Sequence, residues 1–139
     1  MNDPFNLQRF VDAQNQVFAQ VRAELQSGRK RGHWMWFAFP QLTGLGTSPM
    51  ATRYAISSLA EAEAYLLHPI LGPRLRECTD LVNLVEGHSI DEIFGYPDNL
   101  KFRSSMTLFA RAAADNKVFT EAIAKYFPGG FDQRTLDRL

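Results

Sequence analysis

Apolar residues recur along the first part of the chain at steps of three and four: Leu7, Phe10, Val11, Val17, Phe18, Val21 and Leu25. That spacing puts them on one face of an α-helix and predicts a long amphipathic helix over about 7–26, stopped near Gly28. Asn6 stands where a side chain can cap this helix, with Phe5 and Phe10 placed to staple its entry. The run Trp34-Met35-Trp36-Phe37-Ala38-Phe39 has no polar interruption before Pro40. Periodicity does not separate a buried strand from a short buried helix there, but no second clear strand exists to pair with it, which favours a helix. Gly44 and Gly46 mark 41–47 as a loop.

Cap signals then punctuate the chain. Ser48-Pro49 reads as an N-cap with proline at the first helical position, opening a short helix through Ile56. Ser58 with Glu61 forms a capping box for a helix over about 59–67, and His68-Pro69 ends it. Pro73 is placed to open the next helix, on which Leu75, Cys78, Leu81, Val82 and Val85 share a face before Gly87. Ser89 with Glu92 is a second capping box over Ile90 to Phe94, closed by Gly95. A turn at 96–99, helices over about 100–114 and 117–127, and a last short helix capped by Asp132 complete the chain. The sum is an all-α fold: one compact domain over 1–139, of seven or eight helices with short connections.

Composition narrows the function. A length of 139 residues fits one domain, and 45% hydrophobic residues suffice for a real core. Fifteen Lys and Arg balance fifteen Asp and Glu, which argues against a dedicated non-specific nucleic-acid binder. No apolar run approaches the roughly 20 residues of a membrane span, and Met1 leads into Asp3 and Pro4 rather than a leader sequence, so a soluble cytoplasmic protein is expected. Cys78 is the single cysteine, and His33, His68 and His88 share no ligand spacing; no disulfide, metal or other cofactor is expected.

Neutrality hides a segregation of charge. Six acids (Glu77, Asp80, Glu86, Asp91, Glu92, Asp98) lie between Arg76 and Lys101 with no Lys or Arg among them. Against them stand Arg29-Lys30-Arg31 and the pair Lys101, Arg103. This is the pattern of ordinary solvated helix faces, or of a polar cleft with walls of opposite sign.

Three constellations are candidates for chemistry. In the first, Lys30 and Arg31 sit between glycines beside His33, Trp34 and Trp36, followed by Gln41. Cations there can hold a phosphate while an indole stacks a flat base, although the aromatics equally suit a core. No G-x-x-x-x-G-K-[ST] pattern occurs, which argues against a nucleoside triphosphatase. In the second, Asp91 and Glu92 occupy the first turn of a short helix, near Asp98 and Lys101. The helix end stabilises such carboxylates, and burial would make Asp91 a general acid or base. In the third, Arg103 precedes Ser104, Ser105 and Thr107, hydroxyls that either cap or contact a ligand. No G-x-S-x-G elbow is present.

The segments Asn6–Gln14, Gly28–Gln41 and Ser104–Phe109 resemble the small bacterial family called domain of unknown function 1810, sometimes labelled calpastatin-like. The resemblance runs over nearly the whole chain. It implies an all-helical single domain and a family without an established activity. The calpastatin label implies a protease inhibitor, but inhibitory calpastatin segments are disordered, and this chain is apolar and patterned.

Phe10–Gln14 and Leu84–Gly95 are similar to parts of the NADAR family, N-glycosidases acting on ADP-ribose-linked or related ribosyl-amine substrates. This second resemblance implies Asp91 as the matching catalytic carboxylate and Asp12 as a displaced acid. It departs at Gln8, where that family's helix carries a glutamate, and at Phe94, which replaces a tryptophan.

Two readings follow. In one, a nucleotide-like or phosphate-bearing metabolite binds in a polar cleft between the aromatic segment and residues 91–107, contacting Lys30, Arg31, His33, Trp34 or Trp36, Gln41, Asp98, Lys101, Arg103, Ser104 and Ser105. N-glycosidase-type hydrolysis by Asp91 and Asp12 is its enzymatic version. In the other, the chain is a non-catalytic module that docks a protein partner or a second copy.

Overall fold

The computed structural model describes residues 2–139, and over them the chain forms ten helices. The first is α1, Gln8–Asn15. Its entry is held by Asp3 rather than Asn6: the Asp3 carboxylate accepts from the Leu7 and Gln8 amides at 2.8 and 3.1 Å. Asn6 instead takes the left-handed backbone, φ 52°, that lets the chain turn into the helix. The helix expected over 7–26 is two helices, α1 and α2 (Phe18–Ser27), because the backbone departs from helical geometry at Val17. The two halves serve different neighbours: α1 packs on α3 (Met35–Ala38) and α2 on α6 (Leu71–Leu84). One straight rod would not reach both. Gly28 ends α2 in the left-handed region at φ 79°, and the Arg29 amide reaches back to the Glu24 carbonyl, a glycine-dependent helix stop.

The aromatic run is a single helical turn, α3. The following segment pairs with Ile56: the Thr43 amide donates to the Ile56 carbonyl and the Ile56 amide to the Gln41 carbonyl, each at 2.8 Å. This bridge withdraws Ile56 from α4, which is Pro49–Arg53 and ends sooner than its apolar pattern predicts. In α5, Leu59–Leu67, Ser58 caps as expected. The Glu61 carboxylate, however, takes the Ser57 amide and hydroxyl and pairs with Arg9, so only half of that capping box forms. α6 starts before Pro73, capped by His68 Nδ1, which accepts from the Ile70 and Leu71 amides. A Cβ at Gly72 would lie 2.1 Å from the Leu66 carbonyl oxygen, so only glycine allows this turn between α5 and α6.

The short α7, Ile90–Phe94, carries the complete Ser89–Glu92 capping box. α8, Asp98–Ala112, is the spine, packed by α5, α7, α9 (Lys117–Tyr126) and α10 (Gln133–Asp137). Almost all of its residues from Phe102 to Ala110 are buried. The Phe102 ring meets Phe39 edge-on at 5.1 Å and stacks on Phe94 at 4.9 Å, which ties the aromatic run to the spine. The helix count thus exceeds seven or eight through the split of 7–26 and the independence of the short turns. Among the described residues no helix is long and apolar enough to cross a membrane.

Candidate functional site

Within the basic run and its aromatic neighbours, Lys30 and Trp34 are bonded inward. Glu24, on α2, folds the loop around itself. Its Oε1 accepts from the amides of Arg31 (2.7 Å) and Gly32 (2.9 Å) and from Trp34 Nε1 (2.9 Å), while Oε2 accepts from Gln20. Burial pushes this carboxyl up, but the four donors outweigh it and bring it down to about 2. Trp34 is 1% exposed, so the stacking face expected of it lies inside the core. Lys30 Nζ donates to the Gly32 carbonyl (2.6 Å), pairs with Asp98 Oδ2 (2.8 Å) and lies 5.2 Å from the Trp34 ring centroid. Arg31 and His33 are exposed.

Asp98 is where this buried network reaches the surface. Its other oxygen is 3.4 Å from Lys101 Nζ, which in turn lies 5.4 Å from the Trp36 ring centroid. Lys101 also lines a cleft of about 380 Å³ between three segments. Gln41, Leu45 and Gly46 come from the loop that Ile56 pins; Tyr96, Pro97, Leu100, Lys101, Arg103 and Ser104 from the start of α8; Asp132 and Arg134 from the edge of α10. A smaller hollow of about 30 Å³ adjoins it at Gln41, against Trp36 and Tyr54.

The walls of the cleft are fixed by hydrogen bonds from α8. Arg103 donates from Nε to the Gly130 carbonyl (2.8 Å) and from a terminal nitrogen to that of Phe131 (3.3 Å). Ser104 Oγ donates to Asp132 Oδ2 (3.0 Å), which also accepts from the Thr135 amide and hydroxyl, and the Asp132 amide donates to Thr107 Oγ1. The hydroxyls of α8 therefore hold the last segment of the chain in place. Three cations, Lys101, Arg103 and Arg134, line the cleft against one carboxylate, Asp132. Arg103 spends two of its five N–H donors on carbonyls, and the exposed Arg134 has no acceptor among the described residues.

Of the residues the sequence singled out, Gln41, Lys101, Arg103 and Ser104 thus share one cleft, with Asp98 and Trp36 reaching it through Lys101. Lys30 stands behind Asp98. Ser105 is fully buried and its Oγ has no partner. Asp91, exposed on α7, accepts from Asn99, and Asp12, exposed on α1, accepts from Gln8; neither lines the cleft. Tyr96 and Arg134 are the members sequence reasoning missed. Arg134 lies far along the chain from Lys101 and joins it because residues 130–132 dock on Arg103, Ser104 and Thr107 of α8. Cys78 is buried, which, with the nearby Glu77 charge, pushes its thiol up to about 12 and leaves no thiolate. No three of His, Cys, Asp and Glu gather as metal ligands among the described residues.

Residues 4–139 match a family described as "Protein of unknown function (DUF1810)". The chain is similar to the crystal structure of the conserved hypothetical protein Rv1873 from Mycobacterium tuberculosis: 64% sequence identity, a TM-score of 0.97, and coverage of 99% of this chain and 98% of that one. No curated protein is significantly similar in sequence. A similarity to the NADAR family is not shown by these comparisons.

Proposed function

The chain belongs to the DUF1810 family of proteins of unknown function, so its activity has to be read from its own cleft, and we propose that it binds there a small phosphate-bearing metabolite, of the class that includes nucleotides. The observation that carries this reading is a pair of guanidinium groups in a concave site. Arg103 and Arg134 face a cleft whose one carboxylate is already tied by its Oδ2 to Ser104 and Thr135, and Lys101, paired with Asp98, lines the same cleft. Guanidinium groups with unspent N–H donors match the oxygens of a phosphate in geometry as well as charge. Gln41 adds a polar side chain, and the Lys101 ammonium lies over the Trp36 ring.

Binding is favoured over hydrolysis. An N-glycosidase needs a carboxylate near the reacting bond. Asp91 and Asp12 lie outside the cleft, and Asp132 serves as the cap of α10. The test is a titration of isotope-labelled protein with inorganic phosphate and with pyrophosphate, followed by amide chemical shifts. Shifts should concentrate at 41–46, 96–104 and 130–134, and Arg134→Ala should weaken binding about tenfold. No response at millimolar anion, or a response centred on 29–33, overturns the proposal.

A further inference from the structure

The walls of the cleft also bear on which phosphate ester it takes. We infer that the ligand is a mononucleotide whose flat base lies on Tyr96 while its phosphate sits between Arg103 and Arg134. This rests on the anion-binding reading above and narrows it.

Tyr96 is 82% exposed. The other three tyrosines are all engaged. Tyr54 packs on Phe10 and Phe37, Tyr65 on Phe10 and Phe109, and Tyr126 donates its hydroxyl to the Val82 carbonyl under the Lys125 ammonium. Tyr96 has no ring, cation or hydrogen-bond partner among the described residues, yet it lines the cleft. Leu100, four residues on and 46% exposed, lines the same wall. The two side chains leave an exposed apolar surface on this wall. At the lip of a cationic cleft it forms a face on which a flat ring can stack.

Gln41, on the opposite loop, spends its backbone carbonyl on Ile56, but its side-chain amide has no hydrogen-bond partner among the described residues. It offers both a donor and an acceptor to the edge of a base. Size sets the upper limit. A volume of about 380 Å³ lies at the low end of the roughly 300–1,000 Å³ of small-molecule sites, which suits one nucleotide better than two. A longer strand would want a basic track, and the chain has no net charge.

The experiment compares adenosine 5′-monophosphate, ribose 5-phosphate, adenosine and a single-stranded oligonucleotide by calorimetry. The mononucleotide should bind about tenfold more tightly than ribose 5-phosphate, the margin one stacked base supplies. Tyr96→Ala should erase that margin and leave ribose 5-phosphate binding unchanged; Tyr96→Phe should keep it. Arg134→Ala should weaken both phosphates alike. Equal binding of the two phosphates by the unmodified protein overturns the base assignment and leaves the anion site standing. So does a margin that survives Tyr96→Ala, or an oligonucleotide that binds more tightly than the mononucleotide. If none of the four binds, both readings fall.

Discussion

The Gly28–Pro40 segment and the cleft at the start of α8 hold the same kinds of residue, cations beside aromatics, and differ in how far the fold has bonded Lys30 and Trp34 on one side and Arg103, Arg134 and Tyr96 on the other. In the first, Lys30 is consumed by Asp98 and the Gly32 carbonyl, and Trp34 by Glu24 and the core. In the second, among the described residues, Arg134 has no acceptor, Arg103 keeps N–H donors, and Tyr96 keeps a bare ring. Arg31 is exposed as well but lies outside the cleft, so a site is marked by bonding capacity left unspent within a concave surface rather than by which residues are present. The contrast can be broken by substitution, because the first region should carry stability and the second binding.

The largest effect belongs to Trp34→Ala. It empties the volume of a fully buried indole and removes one of the four donors that hold Glu24. Chemical denaturation should show a loss of about 3–5 kcal/mol, a large share of the 5–15 kcal/mol typical of a domain. A loss below about 1 kcal/mol would mean that the indole is not a structural anchor, and the distinction between the two regions would collapse.

That distinction was only partly legible in the sequence, for a reason that can be traced to particular residues. Ser48, Ser58, Ser89 and Asp132 were readable as caps because capping is decided within four residues, and each does accept its helix's amide. The break at Val17 was not, because it depends on α1 and α2 having different partners. Glu24 looks like a solvent-facing residue on the polar side of its helix; its importance lies in a loop that returns to it seven to ten residues later. Gln41, Lys101, Arg103 and Ser104 were named from the sequence and do share a cleft. Periodicity carried no sign that Arg134 would face them, since that closure depends on long-range bonds from Arg103, Ser104 and Thr107 to residues 130–132.

The next effect is a pH dependence of the inward-bonded region. Burial raises the Glu24 carboxyl, and its four donors lower it further, to about 2 from an ordinary 4.5. A carboxyl depressed in the folded state contributes stability that is fully present above its unfolded value and is lost as the pH falls through the folded one. The gap in stability between the unmodified protein and Glu24→Gln should therefore be widest above about pH 4.5 and should close between there and about pH 2. Thermal melts across that range would show it. A gap that does not vary with pH would mean that the charge of Glu24 is not what organises the loop.

The smallest effect on stability should come from Arg134→Ala, and its value lies in being paired with Lys30→Met. Lys30 is nearly buried and 2.8 Å from Asp98, but Lys101, at 3.4 Å, remains to balance that carboxylate. Lys30→Met should therefore cost about 2–3 kcal/mol, less than a buried charge left with no partner, and leave phosphate binding unchanged. Arg134 is exposed and without an acceptor among the described residues, so its truncation should move the melting transition by no more than about 0.5 kcal/mol equivalent. It should nevertheless weaken phosphate about tenfold, equivalent to about 1.4 kcal/mol. The two variants thus rank in opposite orders for stability and for binding. If Lys30→Met were the one that weakens phosphate, the functional cation would be the paired one, and unspent bonding capacity would no longer distinguish the site from the scaffold.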